Sequence, residues 1–298
     1  MQARQVAAFG PAGRFYECPR WRAGRWWLSD MRDGKVFSVS TEGETRVEFE
    51  IDDRPGGLGW TRDGDLLVVS MDARKLLQVS GGGVRNSFDL GPLFGDTAGF
   101  LNDLAVSPTG HAYVGFDADF HRYGSDATLG MIVHVAPDGA ARVAAEKLMM
   151  PNGILFSPDG ATLVVAETMK RALTSFPIAN DGSLGAGGLW AAIDAKQDAR
   201  PNRRPPLGDR IGTLDGCAMD AEGFVWAADI DSGCLRIGRG GAIVDAVFLP
   251  DGMRAFACGL GGPDGRTLLI CGADADFQDR ASRMSAQLFT TRVDVPAA

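Results

Sequence analysis

The sequence predicts an all-β protein, and within that class a six-bladed β-propeller, on three observations. Forty glycines and fifteen prolines divide the 298-residue chain into short segments. The segments are apolar or alternating runs of about six residues, as in strands, and long runs with the 3.6-residue period of a helix are missing. A unit of turn, strand, short break and second strand recurs six times along the chain, at a spacing typical of propeller blades.

The strands of each unit follow in order from this repeat. The first recurring strand opens on a turn glycine, in "AGRWWLSD", "DGDLLVVS", "TGHAYVGF", "DGATLVVA", "EGFVWAAD" and "DGRTLLIC". The next strand follows after a short break, in "GKVFSVS", "RKLLQVS", "GMIVHVA", "RALTSFPI", "GCLRIGR" and "AQLFTTRVDV". Longer insertions are expected at 117–130 and 190–213.

A further short stretch precedes each unit and is expected to be the innermost strand of the blade. These stretches are "YECPRW", "GGLGW", "LNDLAVS", "PNGILFS", "LDGCAMD" and "FACGLGG". Innermost strands of a propeller start at the same mouth of the central channel. The first residues of the six stretches are therefore expected to converge there.

Composition limits the classes of function. A chain that is 45% hydrophobic and 23% charged can bury a large core, and we expect a single domain over 1–298. A net charge of −8 without a basic stripe argues against nucleic acid as a partner. No apolar run is long enough to span a bilayer and the N-terminus has no apolar leader, so a cytoplasmic protein without membrane contact is expected.

Cysteines and histidines are expected to be structural. The five cysteines lack CxxC spacing, which argues against a disulfide framework or a structural zinc site and favours small buried side chains. His111 and His134 alternate with apolar neighbours, and we expect them on blade surfaces.

Four of the six convergent positions offer hard oxygen ligands, namely Glu17, Asn102, Asn152 and Asp215. The "GGLGW" and "FACGLGG" stretches offer only glycine or small residues. Two carboxylates and two amides suit one divalent cation that keeps some water ligands. Asn-Gly and Asp-Gly are also strong turn dipeptides, so plain hairpin turns are the alternative interpretation of "PNG" and "LDG".

These motifs resemble those of the senescence-marker-protein/gluconolactonase family, also called regucalcin-like, over essentially the whole chain. The resemblance implies a six-bladed propeller with a divalent metal in its central channel and hydrolysis of a lactone or related ester. It also implies Glu17, Asn152 and Asp215 as metal ligands. Asn102 matches a residue that in relatives completes the metal shell or faces the substrate.

One position departs from the pattern of the family. Many sugar lactonases carry an arginine two residues before the asparagine of "ND", where it contacts the substrate, but this chain has Phe100. Without that forked donor a more apolar acyl group becomes plausible beside the sugar lactones.

The implied chemistry assigns the remaining roles. A divalent ion polarises the ester carbonyl, and Asp215 is the candidate general base for the attacking water. The segment 116–130 is expected to form a lid or wall, with Asp119 and His121 as candidate substrate-binding residues. Arg203, Arg204 or Arg210, if turned inward, would replace the missing arginine.

Three classes of function stay open on the residues. The favoured one is a metal-dependent lactonase or esterase-type hydrolase. The alternatives are other chemistry at the same metal, as in an organophosphate-type hydrolase, an isomerase or a lyase, and a non-catalytic propeller that binds a partner. Oxygen ligation points to Ca, Mg or Mn, with Zn or Fe(II) also accepted. We expect a monomer or weak oligomer, because no leftover apolar face demands a partner.

Overall fold

The computed structural model describes residues 4–124, 127–193, 213–230, 233–274 and 284–298. Within these ranges the strands form six antiparallel sheets of four strands each. The innermost strand of each sheet contacts the innermost strand of the next, and the last contacts the first. The prediction of a six-bladed β-propeller is therefore confirmed.

The strands follow one another in a regular order. In chain order they are β1 (Ala7–Gly13), β2 (Tyr16–Arg22), β3 (Arg25–Asp30), β4 (Lys35–Ser40), β5 (Thr45–Glu50), β6 (Pro55–Trp60), β7 (Leu66–Ser70), β8 (Lys75–Ser80), β9 (Gly83–Asp89), β10 (Gly99–Val106), β11 (Ala112–Ala118), β12 (Gly130–Val135), β13 (Ala141–Leu148), β14 (Pro151–Phe156), β15 (Thr162–Glu167), β16 (Ala172–Pro177), β17 (Gly188–Ala192), β18 (Leu214–Met219), β19 (Val225–Asp229), β20 (Gly233–Ile237), β21 (Ile243–Phe248), β22 (Met253–Gly261), β23 (Thr267–Asp274) and β24 (Ala286–Arg292). Blades 1 to 5 are β2–β5, β6–β9, β10–β13, β14–β17 and β18–β21, from the innermost strand outward.

Blade 6 closes the ring with strands from both ends of the chain. Its order is β1, β24, β23 and β22, so the first strand of the sequence is the outermost strand of the last blade. β1 pairs antiparallel with β24, with Ala7 opposite Thr290. The sequence repeat did not reveal this outer strand, because β1 is separated from its blade by the rest of the chain.

The core lies between neighbouring blades. Leu67 and Val69 of blade 2 pack in one cluster with Leu101 and Val114 of blade 3. Each blade is covered on both faces by its neighbours, so its middle strands bury side chains on both sides. This is why β7, β15 and β23 are nearly continuous apolar runs instead of alternating ones. All five cysteines are free and buried, as expected.

Two short helical turns interrupt the connections at the described positions, a 3₁₀ turn at Gly91–Phe94 and α1 (Phe120–Tyr123). Over the described ranges, no helix has the length and apolar character needed to cross a bilayer.

The expectation for one of the strand histidines is wrong. His134 is fully buried, because the 179–183 turn of blade 4 covers it, and Tyr113 beside it donates to the Gly182 carbonyl at 2.8 Å. Its Nε2 lies 2.7 Å from His111 Nδ1, and its own Nδ1 has no hydrogen-bond partner among the described residues. A proton on His134 Nε2, donated to His111, leaves only a lone pair unsatisfied in the interior.

This burial predicts an acid-sensitive fold. Burial, with the nearby charges of Arg142 and His111, lowers the pKa of His134 from 6.5 to about 4. Between these values the unfolded chain binds more protons than the folded one, so stability falls as the pH falls from about 6.5 to about 4. In His134→Gln, the free energy of unfolding measured with denaturant should decrease less over this pH range than it does in wild type. His121→Gln, at an exposed site, should retain it, and identical pH profiles for wild type and His134→Gln would contradict the assignment.

Candidate metal centre in the central channel

β-Bulges shape the channel-facing ends of the innermost strands. In blades 2 to 5 two consecutive residues of the innermost strand face a single residue of the second strand. The bulged pairs are Gly56–Gly57, Asn102–Asp103, Asn152–Gly153 and Asp215–Gly216. A bulge redirects a side chain without ending the strand. "PNG" and "LDG" are thus parts of strands β14 and β18, and the alternative of plain hairpin turns is wrong.

Blades 1 and 6 depart from this arrangement. Glu17 pairs with Ser29, one position before the bulge at Cys18–Pro19, so it is not strictly equivalent to Asn102, Asn152 and Asp215. In blade 6 the extra residue is Phe256. The expectation of only glycine or small residues there is wrong, because a phenylalanine occupies the bulge. The ring of Phe256 packs against Phe15, with ring centroids 4.8 Å apart.

The backbone at Glu17 is held in a strained form. Cys18 has a φ of 53°, a left-handed conformation that a residue with a side chain adopts at a cost. This conformation goes with a hydrogen bond from the Cys18 backbone N–H to Glu17 Oε2 at 3.3 Å. The strain therefore accompanies the placement of a carboxylate at the channel.

The two carboxylates are buried, and both have a raised pKa. Glu17 is 8% exposed and Asp215 6% exposed. Burial, with the Asp103 charge, raises the pKa of Glu17 to about 8. Burial also raises the pKa of Asp215, and the charges of Glu17, Asp117 and Asp103 add to the effect. Acidic groups gathered out of water in this way favour a bound cation.

The donor set fits a hard divalent cation. Glu17 and Asp215 provide carboxylate oxygens, and half-buried Asn152 provides an amide oxygen. No three His, Cys, Asp or Glu side chains in the described ranges come together as a metal-binding group, so a cation held by Glu17 and Asp215 would need amide oxygens or water as its further ligands. Oxygen donors of this kind suit Ca²⁺, Mg²⁺ or Mn²⁺.

Asp103 is a buried carboxylate in the channel that the sequence did not single out. It is 3% exposed, and it accepts hydrogen bonds from the backbone N–H groups of Leu104 at 2.7 Å and Ile154 at 3.2 Å. Arg20 Nη2 donates to it at 2.9 Å and to the Leu104 carbonyl at 2.8 Å. Asp103 and Arg20 therefore join blades 1, 3 and 4 in the channel. The signal in the sequence was the acid next to Asn102 together with an arginine in "YECPRW".

Asp117 is a second carboxylate that sequence reasoning did not single out. It is the residue of β11 opposite Phe100, and its Oδ2 accepts a hydrogen bond from Asn102 Nδ2 at 3.1 Å. The first insertion was expected to begin at 117, but Asp117 and Ala118 still pair in the sheet. The second was expected to begin at 190, but Trp190 lies in β17 and in the core.

Phe100 has a cation beside it after all. The guanidinium of Arg54, from the preceding blade, lies over the Phe100 ring with Cζ 4.8 Å from its centroid. Asp72 holds Arg54 in place, accepting from its Nε at 2.8 Å. A neighbouring blade therefore places a guanidinium beside Phe100, and the Nε–Nη2 edge of this guanidinium is paired with the Asp72 carboxylate. Arg203, Arg204 and Arg210, proposed from sequence to replace the missing arginine, lie outside the described residues.

The other two predicted substrate residues lie after β11. Asp119 caps α1, accepting from the His121 backbone N–H at 3.0 Å, and His121 is exposed with its ring against Phe120. The backbone N–H of Ala98 donates to the hydroxyl of Tyr123 at 3.0 Å and thereby fixes this turn. Within the described part of the chain, no hydrogen bond joins Asp119 or His121 to Glu17, Asn152 or Asp215.

A cavity of about 820 Å³ lies between blades 1 and 2, on the face where the innermost strands begin. Phe15 and Arg54 line it and link it to the channel mouth, since they contact Phe256 and Phe100. Polar and charged side chains dominate the rest of its wall. The channel mouth thus has room beside it for a group larger than a metal ion.

The structure is therefore that of a six-bladed propeller with buried acids and amide side chains on or next to the bulges of its innermost strands. The profile of the SMP-30/Gluconolactonase/LRE-like region matches residues 15–274. The chain belongs to this family.

The chain is similar to named relatives over most of its length. It is 28% identical to a 6-deoxy-6-sulfogluconolactonase of Pseudomonas putida, over 94% of this chain and 91% of the relative. It is 25% identical to a pentonolactonase of Haloferax volcanii, over 88% and 83%. Among solved structures, the calcium-binding protein regucalcin from Agrobacterium tumefaciens superposes with a TM-score of 0.75 at 19% identity, covering 100% of this chain and 97% of that one; at this identity the likeness shows the fold.

Proposed function

We propose that this protein is a divalent-metal-dependent lactonase in which one domain, 1–298, carries the whole activity. The observation that carries the proposal is the pair of buried carboxylates, Glu17 and Asp215, with the half-buried amide of Asn152; Asp215 and Asn152 lie on channel bulges and Glu17 directly before one. Glu17, Asn152 and Asp215 would hold the cation. When bound, the cation supplies Lewis-acid polarisation of the ester carbonyl.

The residues of the chain supply the rest of the reaction. Asp215 accepts a proton from the water that attacks the carbonyl carbon, as a carboxylate within hydrogen-bond reach can do. The C–O bond of the ring then breaks, and the ring oxygen leaves as a hydroxyl after it takes the proton that Asp215 accepted. Asn102, fixed by Asp117, faces the substrate, and Phe100 forms the apolar side of the mouth.

The substrate class is proposed from the mouth and the relatives. The two named relatives above are lactonases of sugar-derived lactones, which supports a polar lactone. Arg54 over Phe100 supports the same class, because a guanidinium can bind hydroxyl or acid groups. We retain Asp119 and His121 as candidate substrate contacts from the turn after β11. Calcium is the first cation to test, followed by magnesium and manganese, then zinc and ferrous iron.

The experiment that tests the proposal measures metal and turnover together. Purified protein is stripped with a chelator, titrated with each cation by calorimetry, and assayed on D-glucono-δ-lactone, its acidic derivatives and simple apolar lactones. Asn152→Ala should weaken cation binding at least about 10- to 100-fold, because loss of an outer-shell partner already costs that much, and turnover should fall with it. Asn86→Ala, at an exposed site on outer strand β9, is the control.

The outcomes separate the three classes of function. Cation binding without lactone turnover would favour other chemistry at the same centre, such as that of a lyase, an isomerase or an organophosphate hydrolase. Unchanged binding and turnover in Asn152→Ala would remove the proposed ligand set. Neither metal binding nor turnover in the wild-type protein would favour a non-catalytic binding propeller.

A further inference from the structure

Asp117 is a buried carboxylate with one oxygen that nothing in the fold satisfies. The residue is 2% exposed at the end of β11. Its Oδ2 accepts from the Asn102 amide at 3.1 Å. Its Oδ1 is buried without a hydrogen-bond partner in the described part of the chain. An unpaired buried acceptor of this kind costs free energy of folding, about 1–3 kcal/mol and more for a charged group.

A residue in blade 1 shows what a purely structural acid does at this position. Asp30 pairs with Tyr16 in blade 1, and Asp117 pairs with Phe100 in blade 3. In both blades one more residue pair follows before the bulge, so the two acids occupy equivalent positions. Asp30 accepts hydrogen bonds from the backbone N–H groups of Arg14 at 2.8 Å and of Phe15 at 3.0 Å. Asp30 holds a turn together with both oxygens, whereas the one hydrogen bond described for Asp117 comes from a side chain of the candidate site.

The hydrogen bond between the two side chains fixes the direction of the Asn102 amide. The NH₂ group of Asn102 faces Asp117, so its carbonyl oxygen points away from Asp117. The charge of Asp117 also raises the pKa of Asp215, which places both carboxylates in one polar region. Asn102 Oδ1 is an acceptor, and Asp117 Oδ1 is an acceptor in the ionised carboxylate. Burial raises the pKa of Asp117, and a ligand that donates a hydrogen bond to Oδ1 favours the ionised form that binds it.

We propose that Asp117 is a substrate-positioning residue, which orients the Asn102 amide through Oδ2 and accepts a hydrogen bond from a substrate hydroxyl through Oδ1. The inference rests on the proposed lactonase function and adds a specificity residue to it. A lactone without that hydroxyl leaves Asp117 Oδ1 unpaired, and sites built to bind a hydroxyl reject analogues that lack it by large factors. Phe100 alone would indicate an apolar substrate, whereas Asp117 indicates a substrate that carries a hydroxyl.

The test compares Asp117→Asn with Asp138→Asn. Asp138 is an exposed turn residue of the same blade, between β12 and β13, and its side chain accepts from the Ala140 N–H. Steady-state kinetics are measured on D-glucono-δ-lactone and on δ-valerolactone, which lacks the ring hydroxyls. In Asp117→Asn, kcat/KM for the hydroxylated lactone should fall at least about tenfold, while that for δ-valerolactone changes less than about twofold. Asp138→Asn should alter neither.

Melting temperatures separate a positioning role from a structural one. Asn removes a buried charge at nearly constant shape, so Asp117→Asn should melt at the wild-type temperature or above it while losing selectivity. An equal loss on both lactones, together with a lower melting temperature, would overturn the inference. Asp117→Ser serves as a second variant if the first does not fold.

Binding of the reaction product gives a readout that needs no turnover. Gluconate and 5-hydroxyvalerate are titrated by calorimetry into wild type and Asp117→Asn. The inference is supported if wild type binds gluconate more tightly than 5-hydroxyvalerate and Asp117→Asn weakens gluconate binding at least about tenfold. This holds even if neither lactone is hydrolysed, because absence of hydrolysis would refute only the proposed function. Gluconate affinity that is unchanged by the substitution would refute the role of Asp117.

Discussion

Asp215→Asn should abolish lactone turnover, lowering kcat at least about 10³-fold, within the range for loss of a general base. The amide has nearly the shape of the carboxylate but accepts no proton from water. It also removes one of two buried acids that repel each other, since Glu17 raises the pKa of Asp215. The folded protein should therefore be as stable as wild type or more so. Steady-state kinetics at saturating cation measure the loss of turnover, and thermal unfolding of the cation-free proteins measures the change in stability.

A control in the same blade distinguishes chemistry from folding. Asp220 follows β18 at the end opposite Asp215 and forms an ion pair with Arg236, Nε to Oδ2 at 2.7 Å. It also accepts from the backbone N–H groups of Glu222 and Phe224 at 3.0 Å. Asp220→Asn should lower the melting temperature and leave kcat of the folded protein unchanged. Full turnover in Asp215→Asn with metal still bound would eliminate Asp215 as the base.

Gly153→Ala should damage both stability and turnover. A methyl group at position 153 would lie 2.4 Å from Cys217 Sγ and 2.8 Å from the Asp215 carbonyl oxygen and the Cys217 nitrogen. Two of these three atoms belong to the backbone of β18, so the strands themselves have to separate. We expect a loss of about 1–3 kcal/mol in the free energy of unfolding. We also expect a loss of about 100-fold in kcat/KM, because Asn152 and Asp215 move apart.

Gly188→Ala is the matched control for this prediction. Gly188 begins the outer strand β17, and a methyl group there would meet no atom within 4 Å. Its melting temperature and kinetics should match those of wild type. A Gly153→Ala protein that is as stable and active as Gly188→Ala would show that the contact between β14 and β18 does not position the site.

The repeat made the ring of blades predictable from sequence. Turn glycines before apolar runs such as "DGDLLVVS" place the second strand of a blade, and the stretch before them places the innermost one. Local composition decides these elements, because strand and turn preferences act over a few residues. The outermost strand of blade 6 escaped this reasoning, because β1 pairs with β24 only after the chain has closed on itself.

The candidate site was predictable only in part. Glu17, Asn102, Asn152 and Asp215 stood out as oxygen donors at corresponding places in a repeat. Asp117 did not, because it lies on the second strand of its blade and approaches Asn102 only across the sheet. Arg54 reaches Phe100 from another blade, a contact to which no spacing along the chain points.

The sequence by itself determined the number of blades and the strands that line the channel, because both depend on residues close together in the chain. Only the tertiary structure decided why "PNG" contains a glycine. Gly153 lies in a strand, not at a turn, and β18 passes too close to leave room for a side chain. Contacts between blades set that distance, and they form between segments far apart in sequence, where local preferences carry no information.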